Sequence, residues 1–181
     1  RTLTSFKLPT TPHDPAEGVV DAVGRLSVPA DKIVAFVHGT TLGLNAILER
    51  KGTTVGIITN EGFRDIFEIG RGSLEFADMY RFDYERPKQI VERRHIRGVA
   101  GRVDYLGNEV TPLDSAAIVA AAKELTEEGC RALAVSFLHS YANDSHEREA
   151  VALLREASPD LQVSSGAMLA NEYREYERAM T

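Results

Sequence analysis

The stretch Lys32-Ile-Val-Ala-Phe-Val-His38-Gly-Thr-Thr41 joins an apolar run to a polar loop that precedes a predicted helix. Every residue from Ile33 to Val37 is apolar, which predicts a strand covered on both faces in a parallel sheet. The segment from His38 to Thr41 would then lie between the carboxyl end of a strand and the start of a helix, where α/β proteins place their chemistry. Backbone N–H groups, two hydroxyls and an imidazole meet there, which favours binding of an anion such as a phosphate.

A second apolar run follows at the distance expected of a βαβ unit. A helix is predicted from Leu42 to about Lys51, and a buried strand is predicted over Thr53–Thr59. Two strands joined by a helix of this length form a right-handed βαβ unit, so a parallel sheet is expected. A short helix from Phe63 to about Ile69 and a long loop over residues 70–87 complete this part of the chain.

The rest of the chain alternates between predicted strands and helices, which is the pattern of an α/β fold. Asp14 is the predicted cap of a first helix, with Pro15 in its first position, and Tyr105 to Asn108 is a turn sequence that favours a hairpin. The other predicted elements are strands over residues 1–8 and about 90–99, 101–110, 131–139 and 161–164, and helices over 115–128, 145–157 and 171–180.

The composition is that of a soluble globular protein, with 43% hydrophobic and 27% charged residues among 181. The net charge of −6 argues against nucleic acid or an anionic membrane surface as a partner. Cys130 is the only cysteine and is predicted to be a buried structural thiol, and a chain without disulfides fits the reducing cytoplasm. The sequence has no run of 18 apolar residues, and the lack of a starting Met indicates a piece of a longer protein.

Several kinds of active site are not indicated by the sequence. The five histidines show no metal-ligand spacing, so no metal site built from protein side chains is predicted. Ser-His-Asp, Cys-His and Walker A patterns are also missing, which argues against acyl-enzyme chemistry and a P-loop.

Five segments carry a family likeness when they are taken together and in order. They are His38-Gly-Thr-Thr-Leu-Gly-Leu-Asn45 continuing to Gly52, Thr59-Asn-Glu-Gly62 continuing to Arg71, Arg102-Val-Asp104 with residues 107–114, Val135-Ser-Phe-Leu-His-Ser-Tyr141 continuing to Glu147, and Arg174-Glu-Tyr-Glu-Arg178. In these motifs, which span nearly the whole chain, the sequence resembles the N-terminal domain of the hydantoinase A and 5-oxoprolinase family.

This resemblance implies an α/β fold with a mixed, largely parallel sheet, as a fragment of an actin-like (ribonuclease H-like) ATPase with an inserted lobe. It implies a partial actin-like subdomain over residues 1–52, an inserted α/β lobe over 53–165 and a helix over 166–181 that leads to an absent C-terminal half. The family's phosphate-gripping loop, Asp-x-Gly-Gly-Thr-Phe-Thr-Asp, would lie upstream of Arg1. A fragment of this kind is expected to show no ATPase activity by itself.

Members of the family use ATP to open cyclic amides such as hydantoin, N-methylhydantoin, 5-oxoproline and lactams, or to activate ketones for carboxylation. The resemblance therefore implies a cytoplasmic hydrolase that phosphorylates the amide oxygen, with Mg²⁺ accompanying ATP and a hydantoinase B-type partner subunit or domain. Two alternatives stay open. One is the nucleotide-handling subunit of an acetone- or acetophenone-type carboxylase, and the other is an inert structural module or a sugar-kinase-like relative without catalysis.

The residues of the first loop have predicted roles at the transferred phosphoryl group. Gly39 would let the backbone approach a phosphate, while Thr40 and Thr41 would offer hydroxyls and N–H groups. His38 would donate to an oxygen or shuttle a proton, and Asn45, one turn along the helix, could reach the same pocket. The alternative is structural, because threonine is a common helix cap and glycine a common turn residue.

A charged stripe provides the other predicted substrate contacts. Arg64, Glu68 and Arg71 stand at helical spacing, and the resemblance places Arg64, Asp65 and Arg71 near a substrate cleft, where a guanidinium could pair with a phosphate or imide oxygen. A solvated face with internal ion pairs is the alternative, and it is favoured for Glu68. The charged residues of the last helix are expected at its surface, although Arg174 and Arg178 could face a domain cleft.

Overall fold

The computed structural model describes residues 3–26, 28–73 and 75–181. The chain divides into two units, one up to Leu42 and the other from Gly43 to Thr181. The predicted α/β architecture with a largely parallel sheet is confirmed, and the sheet belongs to the second unit. The proposed division at residues 52 and 165 stays a prediction.

The first unit contains a helix where the sequence predicts one. Helix α1 spans Pro15–Gly24, with Pro15 in its first turn, and the Asp14 carboxylate accepts a hydrogen bond from the N–H of Ala16 at 2.9 Å. This capping satisfies one of the N–H groups that the first turn of a helix leaves without a partner. A 3₁₀ helix follows over Ala30–Lys32. Helix α2, Leu42–Leu48, belongs to the second unit from Gly43 onwards; it is shorter than predicted and ends before Gly52.

The strand predicted over Ile33–Val37 is wrong, because none of residues 3–26 and 28–42 lies in a strand. Val34 is 99% exposed and Val37 is 93% exposed. A buried strand needs apolar side chains and also a neighbouring strand that forms hydrogen bonds with its backbone. An apolar run in the sequence meets only the first of these requirements. Without this strand the βαβ unit predicted around α2 does not form. The strand predicted over residues 1–8 is likewise not found over 3–8, and residues 1 and 2 lie outside the described part.

The second unit is built on a parallel sheet with the strand order β2-β1-β5-β6. A separate antiparallel hairpin, β3–β4, closes at the turn predicted for Tyr105 to Asn108. Among the described residues the strands are β1 Val55–Asn60, β2 Ile96–Val99, β3 Arg102–Val103, β4 Glu109–Thr111, β5 Ala132–Val135 and β6 Gln162–Ser165.

Helices follow the strands of this sheet. They are α3 Ile66–Ile69, α4 Phe76–Met79, α5 Ser115–Glu127, α6 Ser145–Ala157, α7 Gly166–Leu169 and α8 Glu175–Met180, with a 3₁₀ helix over Arg93–His95. Helix α5 starts at the predicted cap, where Asp114 accepts from the N–H of Ala117 at 2.9 Å. Helices α4 and α7 were not predicted, and each has only four residues, which is too short for a periodic pattern to stand out.

The two faces of β1 explain where the core lies. Ile58 packs with Ile118 and Leu125 of α5 and with Leu154 of α6, while Ile57 faces the opposite way and packs with Phe67 of α3. Successive side chains of a strand point to opposite faces, so a run of apolar residues predicts a strand covered by helices on both sides. That interpretation is confirmed for β1.

Gly56 is packed so tightly that a methyl group should not fit. A Cβ atom there would lie 2.8 Å from Cδ2 of Leu133, 3.0 Å from Cδ1 of Leu125 and 3.2 Å from Sγ of Cys130. We expect Gly56→Ala to lower the free energy of unfolding by about 1 to 3 kcal/mol, because overpacking forces side chains from their rotamers. Gly52→Ala is the matched control, since nothing lies within 4 Å of its Cβ position. Equal denaturation midpoints for the two variants would contradict this.

Asn60 ties together three segments at the carboxyl edge of the sheet. The side chain is buried, its Nδ2 donates to the carbonyl of Gly101 at 2.6 Å, and its Oδ1 accepts from the N–H of Leu138 at 2.7 Å. We expect Asn60→Asp to destabilise the fold by about 2 to 3 kcal/mol, because a carboxylate cannot donate to Gly101 and would repel its carbonyl. Exposed Asn171 gives the control Asn171→Asp. Urea denaturation of both variants measures the difference, and equal stability would disprove the bridging role.

Candidate functional site

The predicted phosphate loop lies on the surface of the first unit. Residues 38–41 are all exposed, and Oγ1 of Thr40 accepts a hydrogen bond from the N–H of Leu42 at 3.2 Å. This bond joins the loop to the first residue of α2. The groups that an anion would use are open to solvent, which the prediction requires. Asn45 is also exposed, on α2. The roles of His38, Gly39, Thr40, Thr41 and Asn45 stay predictions.

The predicted substrate residues around α3 are engaged with different partners. Arg64 donates through Nε to the carbonyl of Ile96 at 2.9 Å, and Asp65 forms an ion pair with Arg93. A hydrogen bond from the Arg93 side chain lowers the pKa of Asp65 below its usual value. These contacts hold the chain before α3 against the entry to β2. The structure therefore gives Arg64 and Asp65 a visible packing role, and their substrate contacts stay predictions.

The segment after β5 carries the most unusual backbone at the carboxyl edge of the sheet. His139 has a φ of 59°, in the left-handed region that a residue other than glycine seldom adopts. Its ring Nδ1 lies 2.9 Å from the carbonyl of Val103. A carbonyl only accepts, so Nδ1 carries the hydrogen, and in the neutral form of the ring Nε2 presents a lone pair.

Two residues of α8 hold this backbone in place. Oε1 of Glu175 accepts from the N–H of His139 at 3.0 Å, and Arg178 forms an ion pair with Glu175. Arg178 also donates to the carbonyl of Phe137 at 2.8 Å. The predicted surface position of Arg178 is wrong, because the residue is 1% exposed. These bonds stabilise a strained conformation of the kind that clusters at functional sites.

A cleft of about 620 Å³ opens beside His139. Its walls come from the turn after α3, the segment after β5 and the chain leading into α8. The polar and aromatic residues in its lining are Arg71, His139, Tyr141, Tyr173, Arg174, Glu175, Tyr176 and Glu177. A ligand in this cleft would meet aromatic faces, guanidinium groups, carboxylates and one imidazole, in the position that open α/β sheets use for binding.

A second cleft of about 830 Å³ shares Gly70, Arg71 and Tyr176 with the first. Arg50 lies in its wall and donates to the carbonyls of Lys88 and Gln89, at 2.6 and 2.9 Å. Arg71, a predicted substrate residue, therefore lines both clefts. It is the one member of the predicted Arg64, Asp65 and Arg71 group that lines either of them.

Glu177 balances part of the positive charge of the 620 Å³ cleft. Its carboxylate lies 2.7 Å from Nε of Arg71 and 3.7 Å from Nη1 of Arg174. Burial acts to raise the pKa of Glu177, but its own backbone N–H and the two guanidinium groups lower the pKa below its usual value. Glu175 is paired with Arg178, and the charge of Glu172 also acts on Arg174. The guanidinium N–H donors of Arg71 and Arg174 that these contacts do not use favour a ligand with an electron-rich oxygen.

The sequence analysis did not select His139, Tyr141, Tyr173 or Tyr176 as site residues, and it named Arg174 only as a residue that could face a domain cleft. A signal was available for His139, because it stands at the carboxyl end of the buried strand predicted over residues 131–139. The same criterion selected His38 after the run Ile33–Val37. Of these two positions, only His139 follows a strand that forms.

The cysteine, the possible metal ligands and the helix lengths limit the chemistry that the described residues can perform. Cys130 is buried as predicted, and burial raises the pKa of its thiol. Over residues 3–26, 28–73 and 75–181, no group of three or more His, Cys, Asp or Glu side chains is placed to hold a metal ion. Within the same ranges, every helix is too short or too polar to cross a bilayer.

The fold and the cleft define an α/β unit with a ligand-sized cleft beside the carboxyl ends of a parallel sheet. The chain belongs to the hydantoinase/oxoprolinase family, because its residues 1–158 match the N-terminal region of that family. This confirms the resemblance inferred from the motifs.

Solved structures and a curated relative agree with this assignment. The chain is 38% identical, over 97% of its length, to the caprolactamase subunit alpha of Pseudomonas jessenii, of which it covers 26%. The crystal structure of the ATP-dependent caprolactamase from that organism matches 98% of the chain with a TM-score of 0.79 and 36% identity, over 27% of its own length. A nucleotide-free acetone carboxylase matches 96% of the chain with a TM-score of 0.80 and 25% identity, again over 27% of its length. The chain therefore spans about a quarter of the length of these relatives.

Proposed function

We propose that this chain forms the N-terminal part of an ATP-dependent enzyme that opens a cyclic amide. The observation that carries the proposal is the higher identity to the caprolactamase structure, 36%, than to the acetone carboxylase structure, 25%, over almost the whole chain in both cases. The 620 Å³ cleft beside His139 is large enough for a small ring and carries the charge to hold a carbonyl oxygen.

The chemistry requires activation because an amide carbonyl is a poor electrophile. Phosphorylation of the amide oxygen by ATP turns that oxygen into part of a leaving group, after which water can attack the ring carbon. Gly39, Thr40 and Thr41 would donate to the transferred phosphoryl group, and His38 would donate to the same oxygens or move a proton. Mg²⁺ would accompany the nucleotide, and a partner subunit or domain of the hydantoinase B type would complete the hydrolysis.

A carboxylase subunit is the second candidate function, because the acetone carboxylase matches the fold of the chain as well as the caprolactamase does, with TM-scores of 0.80 and 0.79. In that reaction ATP would phosphorylate the enol oxygen of a ketone, and bicarbonate would supply the new carboxyl group. The two candidates share the loop at residues 38–41 and differ in the group that the cleft must hold. A cyclic amide offers a ring N–H next to its carbonyl, whereas a ketone has no such donor.

Phosphate release separates the two candidates. A protein that carries this chain at the length of its relatives, together with its partner subunit, is mixed with ATP and Mg²⁺. We expect phosphate release when ε-caprolactam, 5-oxoproline or hydantoin is added, and none when acetone and bicarbonate replace the cyclic amide. Stimulation by acetone and bicarbonate alone would overturn the proposal in favour of the carboxylase. A reaction that lacks ATP controls for background hydrolysis.

A further inference from the structure

We propose that His139 is the residue that recognises the substrate's ring N–H and removes its proton when the amide oxygen is phosphorylated. This inference rests on the proposed function, and it assigns the cyclic amide to the 620 Å³ cleft. It names a catalytic residue that was not among those predicted from the sequence.

The tautomer of His139 is the first step of the argument. Nδ1 donates to the carbonyl of Val103 at 2.9 Å, so the neutral ring has its lone pair at Nε2. Nε2 makes no hydrogen bond with any residue in the ranges 3–26, 28–73 and 75–181, while the ring lines the cleft. An unpaired acceptor in a cleft of this size calls for a donor on the ligand, and a secondary cyclic amide carries one.

The second step is the backbone conformation of His139, which its neighbours stabilise although it is unfavourable for a residue with a side chain. A φ of 59° costs free energy for a residue other than glycine. The His139 N–H donates to Glu175 and Arg178 donates to the Phe137 carbonyl, and these two bonds hold the segment in place. The carbonyl of His139 accepts from the N–H of Ala142 at 2.8 Å, which closes the turn. The imidazole is therefore fixed before a ligand arrives, as a general base needs to be.

The third step is the charge on the other side of the cleft. Arg71 and Arg174 each carry five N–H donors, more than their contacts with Glu177 and the Tyr173 hydroxyl use. A carbonyl oxygen facing these groups and an N–H facing Nε2 would orient the amide plane between the two. The aromatic rings of Tyr141, Tyr173 and Tyr176 provide the apolar walls that a saturated ring requires.

Loss of the ring N–H proton accompanies the phosphorylation, so that the product carries no extra positive charge on its ring nitrogen. The ring N–H bond breaks and its proton moves to Nε2, while its electron pair forms a C=N bond. The electrons of the carbonyl π bond form a new bond from oxygen to the terminal phosphorus of ATP. The bond from that phosphorus to the bridging oxygen breaks, and ADP leaves. The product is an O-phosphorylated cyclic imidate, whose carbon is open to attack by water.

The test uses the enzyme at the length of its relatives with its partner subunit, and it compares His139→Asn with the wild type. Asparagine tolerates positive φ better than most residues, and its amide N–H can replace Nδ1 towards Val103, but it has no group at the position of Nε2. We expect turnover with ε-caprolactam to fall by about 100-fold or more, with an unchanged melting temperature. His139→Gln places an acceptor near the position of Nε2 without a base, so binding should recover more than turnover does.

A second ligand separates recognition of the N–H from general damage to the cleft. N-Methylcaprolactam lacks the donor, so the wild type should bind it at least about tenfold more weakly than ε-caprolactam, and His139→Asn should bind the two ligands equally. His13→Asn is the control, because His13 is exposed and lies just before α1. This variant should behave as the wild type. Calorimetric titration without ATP measures all of these affinities.

The outcomes keep this inference apart from the proposed function. If no cyclic amide stimulates phosphate release by the wild type, the proposed function fails, whatever His139 does. If ε-caprolactam stimulates release but His139→Asn keeps its turnover, or keeps the wild-type preference over N-methylcaprolactam, the role of His139 is overturned while the proposed function stands.

Discussion

Glu147→Ala is expected to lower the free energy of unfolding by at least about 3 kcal/mol, which corresponds to roughly 6 to 12 °C in melting temperature for a chain of this size. The Glu147 side chain is fully buried in α6. Its carboxylate accepts from the N–H of Phe137 at 2.8 Å, from Oγ of Ser165 at 2.5 Å and from the N–H of Ala167 at 2.9 Å. Alanine would leave these donors without an acceptor and open a cavity among them.

The size of this effect follows from what Glu147 connects. The three donors lie after β5, at the end of β6 and in α7, so one carboxylate joins three segments at the carboxyl edge of the sheet. Thermal denaturation followed by circular dichroism measures the effect. Glu147→Gln should lose less, about 1 to 2 kcal/mol, because the amide still accepts through one oxygen.

Glu156→Ala is the matched control, since Glu156 lies on the same helix and is exposed. A surface substitution of this kind should stay within about 0.5 kcal/mol of the wild type. If Glu147→Ala melts at the temperature of Glu156→Ala, the carboxylate does not hold the edge of the sheet together.

Thr41→Ala and His38→Ala are expected to lower turnover of the enzyme at the length of its relatives by about 100-fold each, if the two side chains contact the charge that develops on the transferred phosphoryl group. Both residues are exposed, so the fold should survive their loss. The measurement is the rate of phosphate release with a saturating cyclic amide.

Controls for these two variants come from the same unit of the chain. Thr10→Ala and His13→Ala remove the same types of side chain at exposed positions outside the predicted loop. They should leave turnover within a factor of about two of the wild type. Wild-type rates for Thr41→Ala and His38→Ala would return both residues to the structural interpretation, in which threonine caps a helix and histidine covers a surface.

Much of the second unit was predictable because its signals are local. Helix α6 spans Ser145–Ala157, the range predicted from its flanking polar residues and its apolar spacing. Helix α5 begins after Asp114 because that carboxylate caps it, and the hairpin closes at its Gly-Asn turn. Capping and turn chemistry act within a few residues, so a single sequence contains them.

The wrong predictions depend on contacts between distant residues. The run Ile33–Val37 reads as a buried strand, yet a strand exists only where another strand pairs with it. Arg178 reads as one more charge on a polar helix, yet it is buried because the carbonyls of Phe137 and Glu172 both accept from it. The left-handed backbone of His139 also has no local signal, since it results from contacts with Glu175 and Val103.

Under the proposed function, the small hairpin β3–β4 has a consequence for substrate preference. It lies outside the sheet, yet its Val103, Gly107 and Glu109 bind, in order, the side chains of His139, Asn143 and His146. Mutations in the hairpin could therefore reposition the His139 imidazole in the cleft without changing the hydrogen bonds between the strands of the parallel sheet. A library that varies this hairpin alone is a compact starting point for directed evolution towards rings of other sizes.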